Sequence, residues 1–308
     1  MLKGSKPSVL SLAERCRNIL ASNWHGKLST IKADAHGSKE EIYSSKVKYF
    51  VKKGRVYIWV PENDQHDVNA IIDERGSFAV NSPHPGSLAT VLRSVGKFPT
   101  RVALTGEVIR VSDEKIKLVA ETLRETLSAE QKAIKESSNV VSGILNSSNL
   151  DSSSRSKNLQ ELLDSNKSYI PYKFNMSSCS YIDGSGSHQE VDLDAIEASK
   201  ADPLSRFSIA LIDGINQHEA RRRALTLFCV THMNRRAKDA FLLSVDRKGF
   251  DVLGKVLGPA AKDGSHEYQW KELRFTLKEE ARDIGRFCQQ LVEMEKEALD
   301  NLSSFSGL

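Results

Sequence analysis

In the first two thirds of the chain, apolar residues recur at every second position in some stretches, as in a strand. In other stretches they recur at helical spacing. Apolar residues recur every three or four positions over residues 11–24, which predicts an amphipathic helix. β-Branched and aromatic residues then crowd into short runs, and Lys53-Gly54 between two of them is typical of a hairpin turn. The predicted strands cover residues 27–33, 47–51, 56–60, 77–80 and 101–111.

A long helical pattern follows Ser112, and its first turn holds Asp113 and Glu114, where carboxylates suit the positive end of the helix dipole. A short helix is also predicted over residues 67–74, and residues 81–86 are predicted to form a loop. The strands lie too close together in the chain for parallel βαβ units. The order of elements therefore predicts a small antiparallel barrel with flanking helices.

Serine crowds into the chain at about residues 137–157. Such a run buries too little apolar surface to offset the entropy of ordering it, so it predicts a mobile insertion. A short helix is expected directly after it, followed by strands over residues 174–182 and 191–193.

Asp202-Pro203 marks the predicted domain boundary, which divides the chain into residues 1–201 and residues 202–308. Two helical stretches, three strand-like stretches and a long terminal helix follow the boundary. The predicted ranges are 204–212, 217–232, 240–246, 250–256, 270–277 and 279–302. The predicted fold class is therefore α+β, a split antiparallel barrel followed by a small α+β C-terminal domain.

Charge and hydropathy argue against two classes of protein, dedicated nucleic-acid-binding proteins and proteins with membrane-spanning helices. The chain has 44 basic and 40 acidic residues, a formal net charge of +4, which is far from the basic footprint of a dedicated nucleic-acid-binding protein. It has no apolar run near 18 residues, so no membrane-spanning helix is expected. The N-terminus carries no apolar signal region.

Catalytic and metal-binding motifs are missing from the sequence. The four cysteines are scattered and the eight histidines show no metal-ligand spacing, so buried thiols and ordinary histidines are expected. Gly184-Ser185-Gly186 is half of a dinucleotide fingerprint without its third glycine, which favours a turn. We expect no catalytic residues and no metal site.

One basic set is a candidate partner-binding site. Arg93, Lys97 and Arg101 flank the segment before the strand at residues 101–111, where they could meet an acidic or phosphate-bearing partner. A solvated edge is the alternative reading of the same residues. Arg221–Arg223 fan out around a predicted helix and cannot line one groove together.

Several local patterns, in their order, resemble a known family. The stretches are residues 42–47, 65–69 (QHDVN), 76–80, 101–108, 216–219 (NQHE) and 240–249. They are similar to the FMN-binding split barrel of the pyridoxamine-phosphate-oxidase type, in the branch that includes haem-utilisation proteins. Residues 8–17 add a similarity to a plant plastid member of that branch.

The resemblance implies a non-catalytic adaptor. Such a protein would form a homodimer through its barrel, bind glutamyl-tRNA reductase and control the first step of tetrapyrrole (haem and chlorophyll) biosynthesis. It would act in the chloroplast, in the stroma and at the thylakoid membrane, after removal of a transit peptide and without a membrane span. It would contact no nucleic acid directly.

The expected cofactors follow from where the sequence departs from the family. The oxidases hold the FMN phosphate with a basic constellation, of which Lys52, Lys53 and Arg55 provide only part. We therefore expect no FMN site, whereas haem stays open as a regulatory ligand. The alternative function is a haem-binding or haem-degrading split-barrel protein, which would change the haem spectrum under reductant.

Overall fold

The computed structural model describes residues 9–148, 153–164, 169–260 and 266–306. Its helices are α1 (Leu12–Ser22), α2 (Gln65–Ile72), α3 (Gly86–Ser94), α4 (Asp113–Lys135), α5 (Asn139–Leu145), α6 (Ser153–Asp164), α7 (Leu193–Ala198), α8 (Ser208–Asn216), α9 (Glu219–Met233) and α10 (Ile284–Ser306). Its strands are β1 (His25–Asp34), β2 (Gly37–Lys52), β3 (Arg55–Pro61), β4 (Arg75–Asn81), β5 (Arg101–Arg110), β6 (Tyr169–Ile182), β7 (His188–Glu190), β8 (Ala237–Asp246), β9 (Gly249–Ala260) and β10 (His266–Thr276).

Seven antiparallel strands form the larger sheet, in the order β3-β2-β1-β4-β5-β6-β7. β3 also pairs with β6, from Val56 opposite Phe174 to Pro61 opposite Tyr169, and this pairing closes the sheet into a barrel. Tyr49, Phe78 and Phe174 fill its interior and are almost completely buried. The predicted α+β split-barrel fold is confirmed.

The second strand is much longer than the sequence pattern predicts. Its first half, residues 37–46, pairs with β1 in a ribbon whose β2 side chains are mostly exposed. A ribbon that meets water on both faces carries no apolar–polar alternation, so its sequence gives no strand signal.

A buried polar network holds α2 against the barrel. Asn69 donates to Thr30 Oγ1 at 2.8 Å and accepts from the Ala33 N–H at 2.9 Å. The ring nitrogens of His66 lie 2.8 Å from Thr30 Oγ1 and 3.1 Å from Ser45 Oγ. His66 and Asn69 are both 0% exposed, so these bonds satisfy polar groups that would otherwise be costly to bury. The QHDVN stretch therefore has a structural role.

A helix that the sequence did not predict begins at the end of the loop predicted at residues 81–86. Residues 82–85 form the loop after β4, and α3 begins at Gly86, directly after Pro85. Leu88 and Leu92, one helical turn apart, are buried in the C-terminal core. The two prolines before the helix suggested a longer loop. Leu88 and Leu92 are only one pair of apolar residues at helical spacing, which is too few to predict a helix.

Other boundaries also differ from the sequence prediction. The short strand expected at residues 191–193 is wrong: β7 lies at His188–Glu190, and α7 begins at Leu193, where the Asp192 side chain caps the Ala195 N–H at 3.1 Å. The terminal helix begins at Ile284 and not at residue 279. Asp283 accepts from the Arg286 N–H at 2.8 Å, which sets that start.

The serine-rich stretch contains two helices, α5 and the start of α6. Val141, Ile144 and Leu145 of α5 are buried in the C-terminal core, and Leu159 of α6 is buried against the barrel's outer face. Serines surround these apolar residues in the sequence. A prediction from composition therefore gives too little weight to their helical spacing. Residues 149–152 lie outside the described residues, and the predicted mobility stays a prediction.

The second sheet has three antiparallel strands in the order β10-β9-β8, and α8, α9 and α10 pack on it. The rings of Phe228, Phe250, Phe275 and Phe287 meet in its core. Asn216 binds both the N–H and the C=O of Leu242, at 2.7 and 2.9 Å, which fastens α8 to β8. The boundary at residue 202 stays a prediction. Within the described ranges, no helix is long and apolar enough to cross a membrane.

His66 makes a pH-dependent contribution to stability. Burial lowers its pKa to about 4, against a smaller opposing effect of Asp64. Because the unfolded chain binds the proton more readily, the free energy of unfolding falls as the pH drops from about 6.5 toward 4. We expect wild type to lose about 2 kcal/mol more than His66→Gln between pH 7 and pH 5, as measured by urea denaturation. The control, exposed His188→Gln, should keep the wild-type slope, and an unchanged slope in His66→Gln would contradict the assignment.

Candidate functional site

A cleft of about 560 Å³ lies between the barrel and the three-stranded sheet. On the barrel side, α1, the segment from Ser82 to Thr100 and the turn between β6 and β7 line it. On the other side, it is lined by α8 and by residues of β8, β9 and β10. Its size is that of a ligand or peptide-side-chain site, and its floor is charged.

An ion-pair network forms the floor. Arg274 Nη2 lies 2.8 Å from Asp246 Oδ1, and Arg274 Nη1 lies 3.4 Å from Asp251 Oδ2. Asp251 also accepts a hydrogen bond from Ser244. Arg274 is thus shared by two carboxylates, and its own Nε has no hydrogen-bond partner among the residues that the structure describes.

Burial shifts the pKa values of the charged groups in this network. It raises the pKa of Asp251, although Arg274 and the Ser244 hydroxyl oppose that shift. Burial alone would lower the pKa of Arg274, but the hydrogen bond to Asp246 and the charge of Asp251 outweigh it and raise the pKa. The guanidinium therefore stays charged and pairs with both carboxylates of the network.

The mouth of the cleft is spanned by an ion pair between Lys97 and Glu272, which join the barrel to β10. Both side chains are partly exposed, so the pair is only weakly stabilising and can exchange for other partners. His84 lies beside it, and burial lowers the pKa of its imidazole, with a smaller opposing effect of Glu272. His84 is therefore neutral at neutral pH.

Outside the cleft lining, Arg247 in the turn between β8 and β9 holds α1 to the C-terminal part of the chain. Its guanidinium lies 2.5 Å from Glu14 on α1, 3.3 Å from Asp202 and 3.2 Å from Glu280. The Asp202 N–H also donates to Asn18 of α1 at 2.7 Å. α1 is thus fixed to the C-terminal part of the chain from two successive turns.

The structure brings only one of the three predicted partner-binding residues into the cleft. Lys97 lines it, whereas Arg93 is exposed on the last turn of α3 and Arg101 is exposed at the start of β5, outside the lining. Their role in partner binding stays a prediction. Sequence reasoning missed Phe98, which lines the same mouth and is 68% exposed. A lone aromatic residue before a proline gives no signal of exposure.

The basic residues of the β2–β3 hairpin have different surroundings. Lys52 Nζ donates to Thr122 Oγ1 of α4, and Lys53 occupies the turn with φ of 46°. Arg55, opposite Lys52 in the pairing, is exposed. A phosphate site would require these cations to face one oxygen cluster. The expected lack of an FMN site stays a prediction. In the part of the chain that is described, no three metal-ligating side chains come together.

Comparison with known proteins gives a structural match without a sequence match. Neither a protein-family model nor a curated protein matches the chain. A haem-binding protein from Mycobacterium smegmatis has a similar structure, with a TM-score of 0.56 and 18% identity over 95% of this chain and 99% of that chain. This likeness shows the fold, a split barrel followed by an α+β unit.

Two other solved structures match with TM-scores below 0.5, and we base no argument on them. One is a protein of unknown function from Agrobacterium tumefaciens, with a TM-score of 0.39 and 14% identity over 94% of this chain and 99% of that chain. The other, from Clostridium acetobutylicum, is described as related to a general stress protein and to the pyridoxinephosphate oxidase family. Its TM-score is 0.36, with 8% identity over 60% of this chain and 96% of that chain.

Removing the shared cation of the floor should destabilise the protein. Arg274→Met leaves Asp246 and Asp251 without their counter-charge, so we expect the free energy of unfolding to fall by about 2–4 kcal/mol in urea denaturation. Lys271→Met, an exposed change on the same strand, should stay within about 0.5 kcal/mol of wild type. Equal effects of the two changes would show that the network is not stabilising.

Proposed function

We propose that the chain is a non-catalytic adaptor that binds glutamyl-tRNA reductase and controls the first step of tetrapyrrole biosynthesis. The observation that carries the proposal is a continuous surface along the barrel side of the cleft. It is formed by α1 and by the segment from Ser82 to Thr100, and both are separately connected to the C-terminal sheet. The resemblance of the N-terminal segment to a plastid adaptor supplies the partner.

The surface has the chemistry of a protein-binding site. Phe98 is 68% exposed and Val9 is 44% exposed at the same mouth, so two apolar side chains face solvent where a partner can cover them. Aromatic anchors surrounded by charged residues contribute most of the binding energy in many interfaces. Arg93 and Arg101, on either side of Phe98 in the chain, form no ion pair among the described residues.

The charges favour an acidic partner surface. A carboxylate of the reductase can pair with Arg93 or Arg101 without breaking an ion pair of the described part of this chain. Lys97 would exchange its partly exposed partner Glu272 for a carboxylate of the reductase. Charges at the rim mainly set the association rate, whereas the apolar anchor sets the lifetime of the complex.

The assembly and location belong to the same proposal. The chain forms a homodimer through its barrel, acts in the chloroplast stroma and associates with the thylakoid surface without crossing it. Haem acts, if it binds, as a regulatory ligand and not as a substrate. Each of these points is supported by the family resemblance of the sequence.

Charge reversal tests the placement of the interface. We expect the triple variant Arg93→Glu, Lys97→Glu, Arg101→Glu to weaken binding to glutamyl-tRNA reductase at least about tenfold in isothermal titration calorimetry, because it turns an attractive rim repulsive. Phe98→Ala should weaken binding by a similar factor through loss of the anchor.

The matched control is Arg235→Glu, Arg236→Glu, at exposed basic residues beyond the end of α9. It should leave the affinity within about twofold of wild type. The interface does not lie on this surface if the triple variant and Phe98→Ala both bind with unchanged affinity and both have the circular dichroism of wild type.

Haem binding is the second candidate function, and two observations favour it. The protein from Mycobacterium smegmatis with a similar structure is described as binding haem. His84 in the cleft is neutral at neutral pH, as an axial iron ligand must be. The fit is limited to this ligand, because the ion pairs of Arg274 form the floor where the macrocycle would need an apolar wall.

A haem titration separates the two functions. The adaptor proposal predicts that the absorption spectrum of haem added to the protein is stable under ascorbate and oxygen. If haem does bind in the cleft, His84→Ala should lower its affinity at least about tenfold, whereas exposed His188→Ala should not. Progressive loss of the haem spectrum under reductant would contradict a non-catalytic protein.

A further inference from the structure

One face of α1 lines the cleft and brings an unpaired cation to it. Arg15, Asn18, Ile19 and Ser22 all line the cavity, and their spacing of three or four residues places them on the same side of the helix. Arg15 is the charged member of this set. In the described part of the chain, no carboxylate lies within 4.0 Å of its guanidinium. This wall of the cleft therefore offers a positive charge to a ligand.

The opposite wall contains a row of polar residues across the three-stranded sheet. Ser244, Asp251 and Arg274 lie opposite one another on β8, β9 and β10, and all three line the cleft. Ser244 and Arg274 both contact Oδ2 of Asp251. Its Oδ1 has no hydrogen-bond partner among the described residues, and the side chain is 34% exposed. This carboxylate can therefore accept a hydrogen bond from a ligand in the cavity.

Arg15 and Asp251 are opposite charges on opposite walls. They form no ion pair with each other, but the charge of Arg15 is close enough to lower the pKa of Asp251. The gap between them is thus wider than one ion pair and still within the range of a Coulomb interaction. A molecule with a carboxylate and an ammonium group can fill such a gap and form a charge-assisted hydrogen bond at each end.

Buried apolar side chains line another part of the cleft. Leu92 of α3 and Ile212 of α8 are among them. An apolar wall with a few polar groups that fix the orientation is typical of small-molecule sites, and the cavity of about 560 Å³ has their size. The ion pairs that argue against a macrocycle on this floor suit a ligand with charges of both signs.

We propose that the cleft binds a free amino acid with an apolar side chain. Its carboxylate pairs with Arg15, its ammonium group donates to Oδ1 of Asp251, and its side chain contacts Leu92 and Ile212. This inference goes beyond the adaptor function and does not depend on it, because it concerns the cleft of this chain alone.

Calorimetric titration with leucine and two matched analogues tests the site. Isoamylamine is leucine without its carboxylate, and isocaproate is leucine without its amino group. We expect wild type to bind leucine, and to bind each analogue at least about tenfold more weakly, because each lacks one of the two charge-assisted hydrogen bonds.

The same titration with glutamate and lysine tests the apolar wall. Both have the carboxylate and the ammonium group of leucine but carry a charged side chain. We expect each to bind at least about tenfold more weakly than leucine, because a charge against Leu92 and Ile212 would lose its hydration without gaining a partner.

Variants assign the two charged ends. Arg15→Met should weaken leucine binding at least about tenfold and remove the preference for leucine over isoamylamine. Asp251→Asn should weaken leucine binding by a similar factor and remove the preference for leucine over isocaproate. The controls Arg235→Met and Asp300→Asn, at exposed positions outside the cleft, should bind leucine within about twofold of wild type.

The variants are chosen to keep the fold. In Asp251→Asn, the amide oxygen can still accept from Ser244, and Arg274 keeps its ion pair with Asp246. Circular dichroism of each variant checks this. If Asp251→Asn does not fold, the titrations of Arg15→Met with leucine and isoamylamine decide the outcome.

Two results would overturn the proposal. One is that wild type binds no leucine at millimolar concentrations. The other is that leucine binds wild type and Arg15→Met with equal affinity, or binds no more tightly than isoamylamine and isocaproate. All titrations are made without the reductase, so a failure of the adaptor function would leave their outcome unchanged.

Discussion

The fixation of α1 from two sides is the constraint on which the arrangement depends. One face of the helix is buried in the barrel core, and Arg17 on this helix donates to the Gly54 carbonyl of the β2–β3 hairpin. Its other side is held by Arg247, whose guanidinium lies 2.5 Å from Glu14 and 3.3 Å from Asp202. Because one short helix contacts both parts of the chain, it sets the width of the cleft between them.

The barrel provides a rigid support for this helix. The pairing of β3 with β6 closes the sheet, and the buried network of His66, Asn69 and Thr30 anchors α2 to β1. A closed barrel leaves few edges to pair with other chains, so recognition falls to the helices and loops around it. The cleft combines such elements with the charged face of the second sheet.

Local sequence patterns predicted most of the elements but little of their assembly. Strands with dense β-branched and aromatic residues, such as those around Tyr49 and Val56, were found because their signal is local. The exposed half of β2 and the helix α3 were missed, the first for lack of alternation and the second because prolines precede it. In α5, the serines concealed three apolar residues that are buried by contacts distant in the chain.

The sites were harder to predict, because they are made by residues far apart in sequence. The sequence suggested Lys97 as a partner contact, and the structure places it in the cleft, but its pairing with Glu272 could not be read from either segment. Arg274 also gave no signal in the sequence, because its role depends on Asp246 and Asp251, which the fold brings beside it.

The central claim is that this chain is an adaptor for glutamyl-tRNA reductase. Size-exclusion chromatography with light scattering, on the wild-type chain alone and mixed with the reductase, tests it most directly. The account predicts a homodimer that moves, on mixing, to one earlier peak whose mass contains both proteins. Two unchanged peaks at micromolar concentrations of each protein would contradict it.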